Sequence, residues 1–275
     1  MVKERFCAGK APLKRVTLTA QLEEETFSFP IYTVIPKKGD KLPFFVLLSF
    51  RDEIPNEGFP AEEICDRGYG VVMVCYQDVT ADNGDFNSGL AKVIFRGRER
   101  SGSDCGKIAL WAWAASRAMD YALSLPRLDS SRAAVIGHSR LGKTALLAGA
   151  LDERFSYVIS NDSGCSGAAI SRGKQGETIQ VITDVFPYWF CPRYQQYAGR
   201  EEELPFDQHF LLAASAPRKV YVASAREDIW ADPEAEKDAC RAADEVYKKL
   251  DMAGFVGTGD LCHGGNIAYH VRDGE

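Results

Sequence analysis

No stretch of this chain approaches the roughly 18 consecutive apolar residues of a membrane-spanning helix. Its polar start, MVKERFCAGKAPLKRV, lacks the apolar run of about 7–15 residues found in a secretion signal. Both absences point away from a membrane and toward the cytoplasm, or toward an exported protein if the given amino terminus is incomplete. Nor is there a sustained Lys/Arg stripe, and the net charge is −6, which gives no electrostatic ground for binding nucleic acid. The eight cysteines include no C-x-x-C pair, which removes a zinc ribbon or a thioredoxin motif. Cys75, Cys105 and Cys240 fall in apolar or helical patterns and read as buried reduced thiols rather than a disulfide set. No internal repeat, low-complexity tract or break in composition divides the chain, so residues 1–275 are expected to form one domain.

What is present alternates. Residues 16–35 alternate apolar and polar as an antiparallel ribbon does, whereas FFVLLSF and YGVVMVCY are short continuous apolar runs, the pattern of strands buried on both faces. Between those two, PAEEICDRG has the length of a short helix ending at glycine. Residues 80–107, rich in Gly, Asp, Asn and Ser, read as a long surface loop. The next segment is a helix with Leu110, Trp113, Met119 and Leu123 near helical spacing, stopped by Pro126. RAAVIGHS, FSYVISND, RKVYVASA and IAYHVRD follow as strands, with LGKTALLAGAL and PEAEKDACRAADEVYKKL as helices. Strands alternating with helices predict an α/β fold: a mostly parallel sheet covered on both faces, preceded by an antiparallel ribbon.

The segment VIGHSRLGKTAL supports two incompatible chemistries. Gly137, Gly142, Lys143 and Thr144 satisfy the phosphate-cradling pattern G-x-x-x-x-G-K-[ST], and an Asp ends the next strand, where magnesium is held in such proteins. Gly137, His138 and Ser139 also begin G-x-S-x-G, the turn that lifts a nucleophilic serine above the carboxyl edge of a sheet. A serine there needs a histidine base, a carboxylate behind it and donors for the oxyanion. Asp162 and Asp228, each following a later strand, are candidate acids. The elbow reading departs from pattern at Leu141, where glycine is usual, with Gly142 one place on.

That variant elbow, with NDSGCSGAAISRGKQGET, FPYWFC, LPFDQHFLLAASAPRKVYVASAREDIWADP and YHVRDGE, resembles the bacterial branch of the glucuronoyl methylesterases, carbohydrate esterase family 15, from about residue 30 onward. The resemblance implies an α/β-hydrolase three-layer sandwich that hydrolyses glucuronic acid esters linking glucuronoxylan to lignin alcohols or methanol, without metal or organic cofactor. It implies Ser139 as nucleophile, Arg140 at the oxyanion, Asp162 or Asp228 as acid, and Lys143, Glu177 and Trp230 as groups holding the sugar. Beside these roles stand plainer ones: Lys143 as a solvated helix residue, Trp230 as packing, Glu177 paired to an arginine, and Asp162 as a cap for the segment after it.

Of the four histidines, His138 lies inside the elbow with its side chain expected to turn from Ser139, His209 reads as a structural hydrogen-bonding residue, His263 lies in a glycine-bounded loop and His270 in a strand. The family places its catalytic histidine shortly after YHVR-x-G. The base is therefore expected beyond Glu275, in a truncated chain, or else the protein binds carbohydrate without turning ester over. Family members also have a further helix there, so one sheet face is expected to be partly uncovered.

Overall fold

The computed structural model describes residues 2–274. Its elements are β1 (Val2–Phe6), β2 (Ala11–Leu22), β3 (Glu25–Val34), β4 (Leu42–Ser49), α1 (Ala61–Asp66), β5 (Gly70–Cys75), α2 (Tyr76–Val79), α3 (Gly89–Phe95), α4 (Lys107–Leu123), β6 (Leu128–His138), α5 (Arg140–Leu151), β7 (Tyr157–Asn161), α6 (Ile179–Val185), α7 (His209–Ala213), β8 (Lys219–Ala225), α8 (Pro233–Lys249), β9 (Leu261–Cys262) and β10 (Ile267–Arg272). Among the described residues the strands form one sheet in the order β1-β2-β3-β5-β4-β6-β7-β8-β10-β9. The run from β5 to β10 is parallel; β1, β2 and β3 pair antiparallel at one edge and β9 at the other. This is the expected mostly parallel α/β sheet with its amino-terminal ribbon, to which β1 adds a strand that the alternation of residues 16–35 does not announce.

Two stretches differ from the sequence reading. The long loop of residues 80–107 contains α3, which buries Leu90, Ala91 and Phe95. Their spacing is helical, but fewer than two turns next to a stretch of Gly, Asp and Asn give too short a period to register. In α4 the fully buried tryptophan is Trp111, whereas Trp113 is only partly covered and Leu123 is exposed. The buried face is broad, running through Leu110, Trp111, Ala114, Ala115, Ala118 and Met119, so small alanines rather than the large side chains mark it.

The two sheet faces are covered unequally. Val46, Val72, Val135, Val158 and Val222 pack into one large core with residues of α4, α5 and α8, including Trp111, Leu146 and Tyr247. On the opposite face Leu47, Val71 and Met73 pack with Phe59 and the α1 residues Ala61 and Cys65. Farther along that second face the register Leu47–Ile136–Ile159–Tyr221 brings out side chains that meet a cleft instead of a helix.

Candidate active site

Where β6 runs into α5, Ser139 adopts φ 55°, ψ −125°. This is a conformation that an L-residue holds only when its surroundings enforce it. The enforcement is visible: the Ser139 N–H donates to the Asn161 carbonyl at 2.9 Å, and its own carbonyl accepts the Lys143 N–H at 3.1 Å, starting the helix. A Cβ on Gly137 would lie 2.1 Å from the Leu141 carbonyl oxygen, so the turn closes on itself. At Gly142 a Cβ would lie 3.0 Å from both Ser160 Oγ and Ser163 Cβ. The close approach usually met by glycine at position 141 is met here by Gly142, and Leu141 is fully buried.

This geometry removes the nucleotide reading. A phosphate loop is an open cradle of N–H groups, whereas α5 already begins at Arg140. Thr144 is fully buried, its hydroxyl donating to the Arg140 carbonyl at 2.9 Å, so it does not face a phosphate-bound magnesium, and the Lys143 amine is directed to the Ser163 carbonyl.

Ser139, Arg140 and His138 line a cleft of about 750 Å³ with Ser49, Phe50, Asn161 and the outward side chains of β4, β6, β7 and β8. His138 and Glu57 are shared with a second cleft of about 840 Å³, lined also by Asp162, Asp228, Trp230 and Arg272. The structure thus gathers the expected nucleophile, arginine, both candidate acids and the tryptophan around one pair of adjoining hollows.

The two acids differ in their engagement. Asp162 accepts the Ala225 N–H through Oδ1 at 2.6 Å and Arg272 Nη2 through Oδ2 at 2.7 Å, and its Oδ2 is 3.9 Å from His138 Nδ1. It does not cap the segment that follows it: the N–H groups of Ser163 and Gly164 donate instead to Glu236 Oε1, at 2.9 and 2.8 Å. Asp228 accepts the Ala231 N–H through Oδ1 at 2.9 Å. His138 sits beside Asn161, Nδ1 to Nδ2 at 2.7 Å, on the side of Asp162.

Lys143 is not a solvated helix residue. Its side chain is buried, and Nζ lies 3.7 Å from Glu177 Oε2. Burial pushes this amine below the ordinary lysine range, with Glu177 opposing the shift. Glu177 therefore pairs a lysine and not an arginine, and neither member of the pair lines the two clefts. Trp230 is 54% exposed, too open for a packing residue. Its segment is fastened to the one carrying Glu177: the Glu177 N–H donates to the Trp230 carbonyl at 3.1 Å, and Lys174 Nζ donates to the Ala231 carbonyl at 3.3 Å.

Sequence reasoning missed Asp82. This carboxylate accepts Arg140 Nη1 and the Tyr76 hydroxyl on one oxygen and Trp189 Nε1 on the other. It sits in TADNGD, where an acid among turn residues carries no periodic signal; the demand of a half-buried arginine for a partner is a hint, and it needs the fold to be read. No group of three or more His, Cys, Asp or Glu suited to a metal ion occurs among the described residues.

The sheet order and the strand–elbow–helix turn at Ser139 define an α/β-hydrolase. Comparison with known proteins narrows the class. The family model described as glucuronyl esterase, fungi, matches residues 18–251. The chain is 42% identical over 220 residues to carbohydrate esterase MZ0003 from an unknown prokaryotic organism, covering 78% of this chain and 51% of that protein. It is 30% identical over 205 residues to the 4-O-methyl-glucuronoyl methylesterase of Schizophyllum commune, covering 70% and 52%. Among solved structures, a promiscuous CE15 esterase from a marine bacterial metagenome superposes with TM-score 0.87 at 35% identity, over 99% of this chain and 79% of that one. The glucuronoyl esterase of Solibacter usitatus gives the same TM-score at 33% identity, over 100% and 79%. The chain belongs to the glucuronyl esterase family, and it spans about half the length of the curated relatives it matches.

Proposed function

We propose that this chain carries the acyl-transfer site of a serine carboxylesterase acting on esters of glucuronic acid, the natural substrate being the glucuronoyl ester of glucuronoxylan with a lignin alcohol or methanol. The observation that carries the reading is the strained Ser139 at the mouth of a cleft, at the amino end of α5 and next to an arginine held by a carboxylate. Ser139 Oγ attacks the ester carbonyl to form an acyl-enzyme, the alcohol leaves, and water releases the uronate in a second step. Negative charge on the carbonyl oxygen is met by the Arg140 guanidinium and by unpaired N–H groups of the first turn of α5, where the helix dipole favours it. Proton transfer falls to a histidine paired with one of the two acids. Asp228 is the better supported partner, because it has more acceptor capacity left: one of its oxygens takes the Ala231 N–H, whereas Asp162 already takes the Ala225 N–H on one oxygen and Arg272 on the other. Trp230 offers an exposed ring against the sugar. Lys143 and Glu177 act on it through the segment that bears Trp230 or through hydroxyls reaching their buried pair.

The test is hydrolysis of benzyl glucuronate by a form of the protein that includes its general-base histidine. Ser139→Ala is expected to lower kcat by at least about 10⁴-fold with the fold intact by circular dichroism. Asp228→Asn is expected to lose more activity than Asp162→Asn. Turnover surviving Ser139→Ala, or hydrolysis of acetylated xylan in place of the glucuronate ester, overturns the reading.

A further inference from the structure

Asp82 is out of reach of the reacting atoms' cleft, yet four hydrogen bonds converge on it. Beyond the three carboxylate contacts given above, its carbonyl accepts the Tyr188 hydroxyl at 3.2 Å. The arginine it holds is also enclosed: Arg140 Cζ lies 4.8 Å from the ring centre of Trp189, 5.5 Å from Phe186 and 5.7 Å from Phe50. Trp189 thus stacks on the guanidinium while its own N–H is spent on Asp82 at 2.7 Å, so carboxylate and ring fix both the direction and the plane of Arg140. The Arg140 Nε is buried without a partner, which leaves donor capacity on a group that cannot swing away to satisfy it elsewhere.

The segment bearing Asp82 is itself fastened from below. Lys107, fully buried at the start of α4, donates through Nζ to Thr80 Oγ1 at 2.7 Å and to the Asp85 carbonyl at 2.6 Å. One turn later Trp111 Nε1 donates to the Thr80 carbonyl at 3.1 Å. Asp82 therefore lies on a short bridge pinned at both ends by one buried ammonium group.

We propose that Asp82 is the positioning residue of the oxyanion arginine, and that Lys107 fixes Asp82 by clamping residues 80 and 85; the catalytic side of this rests on the esterase reading above. An arginine side chain left free samples many rotamers. A donor aimed at developing charge helps only when it is already in place, which is what the carboxylate, the rings and the clamp provide.

The experiment is a set of kinetics with benzyl glucuronate and one spectroscopic arm. Asp82→Asn keeps size and a hydrogen-bond acceptor, and is expected to lower kcat about 10- to 100-fold with KM within about threefold, as for loss of an oxyanion donor. In an Arg140→Ala background the same change is expected to add nothing, since positioning an absent group has no effect. Lys107→Met should repeat the kcat loss; if it fails to fold, the Asp82 variants decide. Separately, in chain labelled with ¹⁵N-arginine, the Arg140 Nε–H signal, assigned by its disappearance in Arg140→Lys, is expected to be distinct and slow to exchange. In Asp82→Asn it should move to the fast-exchanging position of unconstrained arginine. An unchanged kcat, a loss that adds to that of Arg140→Ala, or an unmoved Arg140 signal overturns the proposal. Absence of turnover in unsubstituted protein that includes its general-base histidine refutes the esterase reading instead, and the arginine signal then decides the positioning by itself.

Discussion

Leu141 and Gly142 show how a one-residue departure from a motif is absorbed. The elbow needs two close approaches, one within the turn and one between α5 and the strand ends, and Gly137 and Gly142 supply them. A methyl group at Gly137 meets backbone at 2.1 Å, which cannot yield without opening the turn, whereas at Gly142 it meets side chains and a carbonyl at 3.0–3.2 Å. Gly137→Ala is therefore expected to destabilise by about 3 kcal/mol and to abolish turnover, and Gly142→Ala by about 1 kcal/mol with partial activity. Urea denaturation and initial rates on the two variants check this; equal effects would mean that the elbow has slack. At this scale the sequence revealed Ser139, because strand, turn and helix bracket it. The partner of Arg140 was hidden: Asp82 is separated from it by α3, α4 and β6, and nothing local marks which of several loop acids the fold delivers. The burial of Lys143 was equally hidden, since a lysine in an apolar helix reads the same whether its amine meets water or Ser163.

Among the elements, α8 does more than cover the sheet. Its sequence has the signs of a well-made helix, with Asp232 accepting the Ala235 N–H, Pro233 in the first turn, acids at the start and Lys248 and Lys249 at the end. Those signs made it legible. Its deepest contribution was not: Glu236, fully buried, accepts the N–H groups of Ser163 and Gly164 and the Ser224 hydroxyl, fixing the turn that follows Asp162. Burial raises this carboxyl from 4.5 to about 7. The folded chain then binds a proton that the unfolded chain has already lost between those values, so stability falls as pH rises from about 4.5 to about 7. The full effect is on the order of 3 kcal/mol. Glu236→Gln, which keeps an acceptor for both N–H groups, should flatten that part of the profile in chemical denaturation across pH 5 to 8. An unaltered slope would assign the dependence to other groups. Elements shorter than two turns, such as α3, escaped because their apolar positions recur too few times to define a period.

For the molecule as a whole, the parallel sheet and its ribbon followed from continuous and alternating apolar runs, since those report how many faces of a strand are dry. The inequality of the two faces did not follow from them: Val158 and Ile159 are equally apolar in YVISND, yet one is fully buried against the helical layer and the other looks into the cleft. Val158→Ala is expected to cost about 2 kcal/mol, and Ile159→Ala, although it removes more atoms, less than about 1 kcal/mol. Denaturation midpoints of the two variants measure the difference, and a larger loss at Ile159 would mean that the open face is covered in solution. The same inequality bears on temperature. The heat-capacity change of unfolding follows the apolar surface that folding takes out of water, and here Ile136, Ile159 and Tyr221 keep part of theirs hydrated at the cleft. Their share of that change is missing, so the stability curve is flatter than that of a sheet dressed on both sides, and the protein holds its fold over a wider thermal span for the same maximum.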